Sequence, residues 1–155
     1  MRKIVAFTGT RKGMTLEQKA TVKRLLQELN PKWVLHGGCH GADGDLHEIA
    51  SELGLYIRVH PGDLEQYNRY SPLVEVVCPI EPYLTRNRTM VDEATDVIGC
   101  PASGKEETRG GTWSTVRYAR KSPDTTVRVV LPDGVILFEG MPSSMDGSTH
   151  GGKRF

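Results

Sequence analysis

The runs KIVAFTGTR at residues 3–11 and WVLHGGCHGAD at residues 33–43 decide the fold of this chain. Lys3 to Thr8 and Trp33 to Leu35 are short, continuous apolar stretches of the kind buried on both faces of a parallel sheet, and each stops at a glycine-bearing loop. After the first loop, Thr15 and Gln18 form a capping-box pattern, and Val22, Leu25, Leu26 and Leu29 follow at helical spacing. After the second, Leu46, Ile49, Ala50 and Leu53 make an amphipathic stripe that Gly54 closes, and Leu55 to Val59 read as a third strand. Two strand-loop-helix units followed by another strand predict right-handed crossovers and a parallel sheet with helices on both faces.

The pattern weakens from Pro61 to Pro82, where four prolines and two tyrosines fill a stretch too long for a simple connection; it reads as an irregular excursion that could act as a flap. Pro82 suits the first turn of a helix running to about Ala94, Asp96 to Cys100 is a fourth strand, and residues 101–110 are a polar loop. Gly110-Gly111 opens a helix that ends near Lys121. Thr126 to Leu131 is a fifth strand, and Pro132-Asp133-Gly134 turns the chain into a last extended run, Val135 to Phe138. Residues 141–155, rich in Gly and Ser, are expected to form a flexible tail. The fold class is therefore α/β: a Rossmann-like three-layer α/β/α domain over residues 1–140, with a mainly parallel five-stranded sheet plus a short C-terminal extended strand.

At 155 residues the chain can bury an adequate core without metal or disulfide staples. Its formal charge of +1 provides no global field to draw it onto nucleic acid or an anionic membrane. Cys39, Cys78 and Cys100 are odd in number and widely spaced, and the start MRKIVAFTGTRKG turns polar early, so neither a disulfide framework nor a signal peptide is expected. No apolar run approaches the roughly 20 residues of a membrane-spanning helix. The expectation is a cytoplasmic protein with no membrane partner.

In an open parallel sheet, ligands bind outside the carboxyl ends of the strands, where the strand order reverses. Four segments should meet there. In Thr8-Gly9-Thr10-Arg11 the glycine permits close backbone approach, and the hydroxyls and guanidinium can bind anionic oxygens; the alternative is a plain tight turn. Gly37-Gly38-Cys39-His40-Gly41-Ala42-Asp43 precedes a helix whose free amides make an anion site. Asp43 either caps that helix or offers a carboxylate to a ribose hydroxyl or a glycosidic bond. His36, Cys39, His40 and His47 fit no standard zinc spacing, so no metal is expected. On the third segment, Met90 and Ala94 share a stripe with Arg86, and Val91 with Asn87, so Arg86 and Asn87 point inward while Arg88 faces solvent. A core-facing arginine needs an internal carboxylate or a bound anion. The fourth segment, Arg109-Gly110-Gly111-Thr112-Trp113-Ser114-Thr115, again opens a helix with a glycine pair; its glycines bind phosphate or merely allow tight packing. Trp113 begins an apolar face continued by Val116 and Ala119 and reads as core rather than as a stacking platform.

TGTR, HGGCHGAD, YLTRNRTMVDEATDVIGCP and RGGTW, in this order over roughly residues 3–131, resemble the SLOG superfamily of Rossmann-like nucleotide-binding proteins, its small stand-alone YspA-like members most of all. The superfamily also holds the LOG phosphoribohydrolases and the DNA-processing protein DprA. In the phosphoribohydrolases an arginine precedes a methionine by four residues, as Arg86 precedes Met90, and a glycine-rich segment binds phosphate and supplies a catalytic glutamate. Gly110-Gly111 and Thr115 match the phosphate-binding part, but a polar insertion separates Pro101 from the glycines and Tyr118 stands at the glutamate. A tyrosine provides no negative charge at neutral pH to stabilise a sugar cation. Asp43, Asp45, Glu106 or Glu107 would replace the glutamate only if the fold brought one beside Arg86.

The resemblance implies a binder of a phosphate-bearing nucleotide or nucleotide-derived small molecule, acting as a sensor or sequestering protein and as a homo-oligomer, with no cofactor. Its ligand-binding residues would be Thr8, Gly9, Thr10, Arg11, Gly37, Gly38, Asp43, Arg86, Asn87, Arg109, Gly110, Gly111 and Thr112. The alternative is a nucleoside-monophosphate N-glycosidase in which Arg86 and Asp43 are catalytic. Single-stranded DNA binding, as in DprA, is disfavoured by near-neutral charge and few aromatic residues.

Overall fold

The computed structural model describes residues 2–63 and 76–139. In chain order the elements are β1 (Ile4–Gly9), α1 (Leu16–Leu29), β2 (Trp33–His36), α2 (Ala42–Glu52), β3 (Tyr56–Val59), β4 (Val76–Val77), α3 (Tyr83–Glu93), β5 (Asp96–Cys100), α4 (Gly111–Arg120), β6 (Thr126–Val130) and β7 (Ile136–Glu139). One seven-stranded sheet has the order β4-β3-β2-β1-β5-β6-β7. Every pairing is parallel except β6 with β7, where the turn at Pro132–Gly134 reverses the chain. The sheet exceeds the expected five strands and C-terminal run by β4, a two-residue edge strand within the stretch read as irregular. Two residues carry too little apolar periodicity to register as a strand. The expected tail, residues 141–155, lies outside the described residues, as does most of the excursion.

Alternation along the strands divides the core into two layers. Val5, Phe7, Val34, Ile57 and Ile98 meet Val22, Leu26, Leu46 and Ile49 of α1 and α2 on one face. Ala6, Leu35, Val97 and Val127 meet Met90 and Val91 of α3 and Trp113 and Val116 of α4 on the other. The strand order reverses between β1 and β5, whose carboxyl ends lie side by side in register, Gly9 opposite Cys100. From that junction the loops after β1, β2 and β5 open on the same edge of the sheet.

Backbone and buried polar groups lash these loops together. The Thr10 amide donates to the Cys100 carbonyl (3.0 Å), the Ala42 amide to Thr10 (2.9 Å), and the Met14 amide to Asp45 Oδ2 (2.8 Å). A side chain at Gly9 would place its Cβ 2.5 Å from that of Ala42, so only glycine lets the start of α2 rest on β1. Gln18 closes the capping box of α1 and, 1% exposed, also sends Nε2 to the carbonyls of Pro101 and Val130, each at 2.9 Å. It thereby pins α1 to the ends of β5 and β6.

Gln18→Met keeps the volume and removes those bonds, leaving two buried carbonyls and the Thr15 amide unsatisfied. Urea unfolding should show a loss of about 2–4 kcal/mol; a loss below about 0.5 kcal/mol would show that Gln18 only fills space.

Candidate functional site

The loops enclose a hollow of about 370 Å³ at the carboxyl ends of β1, β2 and β5. Of the residues singled out from the sequence, Thr8, Gly9, Thr10, Arg11, Gly37, Asp43, Arg86, Asn87, Gly110, Gly111 and Thr112 line it. Gly38 and Arg109 are not among the lining residues; Gly38 instead donates its amide to His36 Nδ1 (2.9 Å). Lys12, Cys39, Tyr83, Glu107 and Trp113 also line it. Tyr83 could have been inferred, because it stands one helical turn before Arg86 and so shares its face.

Arg86, 4% exposed, is the most constrained charged group in the hollow. Its Nη1 donates to the carbonyls of Gly37 (3.0 Å) and His60 (2.7 Å), and its Nε donates to Asn87 Oδ1 (2.7 Å). The guanidinium lies over the Tyr83 ring at 4.6 Å, and Nη2 has only the Cys39 sulfur at 3.7 Å. Among the described residues, one N–H of Nη2 is thus left without an acceptor. No carboxylate among the described residues lies within 4.0 Å of Arg86, so the internal ion pair considered from the sequence is not formed. Arg88, as its helical position requires, is exposed and packs over Tyr118.

Asp43 stands on the other side of the Gly37 peptide. Its Oδ2 accepts the amides of Gly37 and Cys39, both at 3.1 Å, while Oδ1 accepts no hydrogen bond among the described residues. It does not cap α2, whose N-cap is Gly41. Burial raises the Asp43 carboxyl from 3.8 to about 6, against the lowering effect of the two amides and of Arg86. Gly37 leaves no room for a side chain, because a Cβ there would run into Arg86 Nη1. Of the other acids weighed, Asp45 pairs with Lys19 (3.8 Å) and Glu106 with Arg117 and Arg120 (3.1 and 3.0 Å).

The start of α4 completes the hollow. Gly110 has φ +108°, and the amides of Gly111, Thr112 and Trp113 have no hydrogen-bond partner among the described residues. Such amides attract an anion. Trp113 is 3% exposed and packs in the core beside Val116, yet its buried Nε1 has no hydrogen-bond partner among the described residues. Tyr118 is not among the lining residues and donates to Asp92 Oδ1 (2.8 Å), so this position carries no chemistry into the hollow. Thr115 Oγ1 is turned back onto the Gly111 carbonyl (2.8 Å).

Among the described residues, no group of three or more His, Cys, Asp or Glu is placed to hold a metal ion. His36 and His47 bond to each other, Nε2 to Nδ1, at 3.0 Å. The amide of Gly38 fixes Nδ1 of His36 as an acceptor, so the proton of the neutral ring is on Nε2. Burial first, then the charges of His47, Arg86 and His60, push His36 down to about 3. A neutral imidazole pair therefore underlies the glycine loop.

No protein-family model matches the chain, and no curated protein matches it. Solved structures match its fold. The molybdenum cofactor binding protein from the phototrophic bacterium Rippkaea orientalis superposes with a TM-score of 0.62 at 19% identity, over 84% of this chain and 76% of that one. TM1055, a structural genomics target, gives 0.54 at 19% identity, over 77% of this chain and 69% of that one. The fold is Rossmann-like. Among the described residues, no helix is long and apolar enough to cross a membrane.

Because its folded carboxyl lies above its unfolded value, Asp43 takes up a proton in the native state first, and it favours folding as pH falls from about 6 towards 3.8. Relative to Asp43→Asn, which keeps an acceptor for the two amides, the wild type should gain on the order of 3 kcal/mol between pH 7 and pH 4. Urea midpoints of the two proteins that keep a constant separation across this range would refute the assignment.

Proposed function

We propose that the hollow binds a phosphate-bearing nucleotide or nucleotide-derived small molecule, with the phosphate at the start of α4 and the sugar towards Asp43. The observation that carries this is Arg86: a guanidinium 4% exposed that, among the described residues, has no carboxylate partner and lines a hollow with unsatisfied amides. Burying a charge in this way is costly unless an anion arrives to share it. Arg11 and Lys12 add positive charge at the rim, and Thr112 supplies a hydroxyl. The free Oδ1 of Asp43 suits a donor, such as a ribose hydroxyl. In the Rippkaea protein a fold of this kind carries a small-molecule cofactor site, which is consistent with a ligand here.

The convergence of the TGTR, HGGCHGAD, YLTRNRTM and RGGTW segments on one hollow supports placing the chain in the SLOG superfamily, as a single domain over residues 1–140. On that reading it is a cytoplasmic homo-oligomer that senses or sequesters its ligand.

Asp43 favours a second reading, hydrolysis of a nucleoside monophosphate at the N-glycosidic bond. A carboxylate beside Arg86 is what that reaction requires, and Asp43 shares the Gly37 peptide with it. As the bond between anomeric carbon and base breaks, the ionised Asp43 would stabilise the positive sugar. Water would add its hydroxyl to the anomeric carbon, and its proton would leave with the base.

A thermal-shift panel of mono-, di- and cyclic nucleotides tests binding, and assay of the same mixtures for free base tests turnover. At least one nucleotide should raise the melting temperature, and Arg86→Met, which retains the packing volume, should weaken that ligand at least about tenfold. No shift with any nucleotide overturns the reading. Free base whose release is lost in Asp43→Asn makes the protein the hydrolase instead.

A further inference from the structure

The loop of residues 101–110, a polar insertion relative to the phosphoribohydrolases, holds a carboxylate in the hollow. Glu107 lines it, and its Oε1 lies 3.6 Å from where a Cβ of Gly110 would be, at the first turn of α4. Two arginines on the outer face of α4 hold the loop there. Arg117 donates to the carbonyls of Glu107 (2.8 Å) and Thr108 (3.0 Å), and both Arg117 and Arg120 pair with Glu106. Glu106 takes both cations, and Glu107 is left with no cation within 4.0 Å among the described residues. The backbone at Glu107 is thus held while its carboxylate, close to Gly110 at the start of α4, has no cation partner among the described residues.

That placement changes the charge the hollow accepts. Among the described residues, Arg11, Lys12 and Arg86 line it together with the carboxylates of Asp43 and Glu107. These groups share a space of about 370 Å³. This lies at the small end of the roughly 300–1,000 Å³ of small-molecule pockets, and so suits one nucleotide unit. A phosphate monoester carries about two charges above its second pKa of roughly 6, and a phosphodiester carries one. The second charge of a monoester would face Glu107 directly. A further feature points to a ligand at this place independently of the helix end: Arg86, 4% exposed, lines the hollow, and among the described residues its Nη2 has only the Cys39 sulfur at 3.7 Å.

We propose that Glu107 is a specificity-determining residue that makes the hollow prefer a monoanionic phosphodiester, a cyclic mononucleotide in its compact form, over the dianionic monophosphate of the same nucleoside. The inference rests on the nucleotide reading of the hollow.

The test compares 3′,5′-cyclic and 5′-monophosphates of the four common ribonucleosides by calorimetry at pH 8, where the monoesters are dianions, with wild-type protein and Glu107→Gln. For the best-bound base, the wild type should hold the cyclic nucleotide at least about fivefold tighter. Glu107→Gln should improve the monophosphate more than the cyclic form and so narrow or invert the ratio. Because Arg117 holds the backbone carbonyl of Glu107, the variant retains the loop. A wild-type preference for the monophosphate, or equal changes in both ligands on substitution, overturns the role of Glu107 and leaves the nucleotide reading standing. Failure of the wild type to bind any of the eight compounds removes this inference, and the nucleotide reading falls with it when the dinucleotides of the thermal-shift panel also give no shift.

Discussion

The peptide of Gly37 joins the two opposite charges on which the site depends. Its carbonyl accepts Nη1 of Arg86 and its amide donates to Oδ2 of Asp43, so one planar group holds a buried cation and a buried carboxylate apart. Neither charge neutralises the other by contact, and among the described residues each keeps an atom without a hydrogen-bond partner. The absent side chain at residue 37 is what permits this, since any Cβ there would occupy the position of the guanidinium. The neutral His36–His47 pair supports the same loop from below, with Gly38 bonded to His36.

Around this peptide the fold arranges complementary groups from distant parts of the chain. β1 and β5 lie together at the reversal of strand order and bring Thr10 and Arg11 opposite the loop that follows Cys100. α3 presents Tyr83, Arg86 and Asn87 from one side, and α4 presents its free amides from the other. The hollow therefore offers donors on a rigid frame with few acceptors, the pattern expected of a receptor for an anion. Its two carboxylates are placed differently. Asp43 is buried and bonded by backbone amides, whereas Glu107 is exposed and carried on a loop that Arg117 and Arg120 strap to α4.

Much of this was legible in the sequence because it follows from period and punctuation. The apolar runs at Ile4, Trp33 and Asp96 and the stripes of α1 to α4 announced a parallel sheet, and the capping box of Thr15 and Gln18 formed as its spacing required. The inward aim of Arg86 followed from its register with Met90. Other features depend on tertiary contacts that no local pattern encodes. Asp43 has the residue type of a helix cap, yet it turns back to Gly37 and Cys39 because the preceding loop folds over it. Tyr118 falls outside the hollow because the helical turns between it and Gly111 carry it round to Asp92. Glu106 and Glu107 are adjacent and alike in sequence, and only the positions of Arg117 and Arg120 separate a structural acid from one that faces the hollow. β4, with two residues, had no periodicity to read.

The central claim, that one anion is shared by Arg86 and the start of α4, is tested most directly by a crystal structure with the tightest-binding nucleotide of the panel. The account predicts phosphate oxygens within hydrogen-bond distance of the Gly111 and Thr112 amides and of Arg86 Nη2, with a sugar hydroxyl on Asp43 Oδ1. A nucleotide bound instead at the amino ends of the strands, in the basin beside Arg2, Lys3 and Lys32, would contradict it.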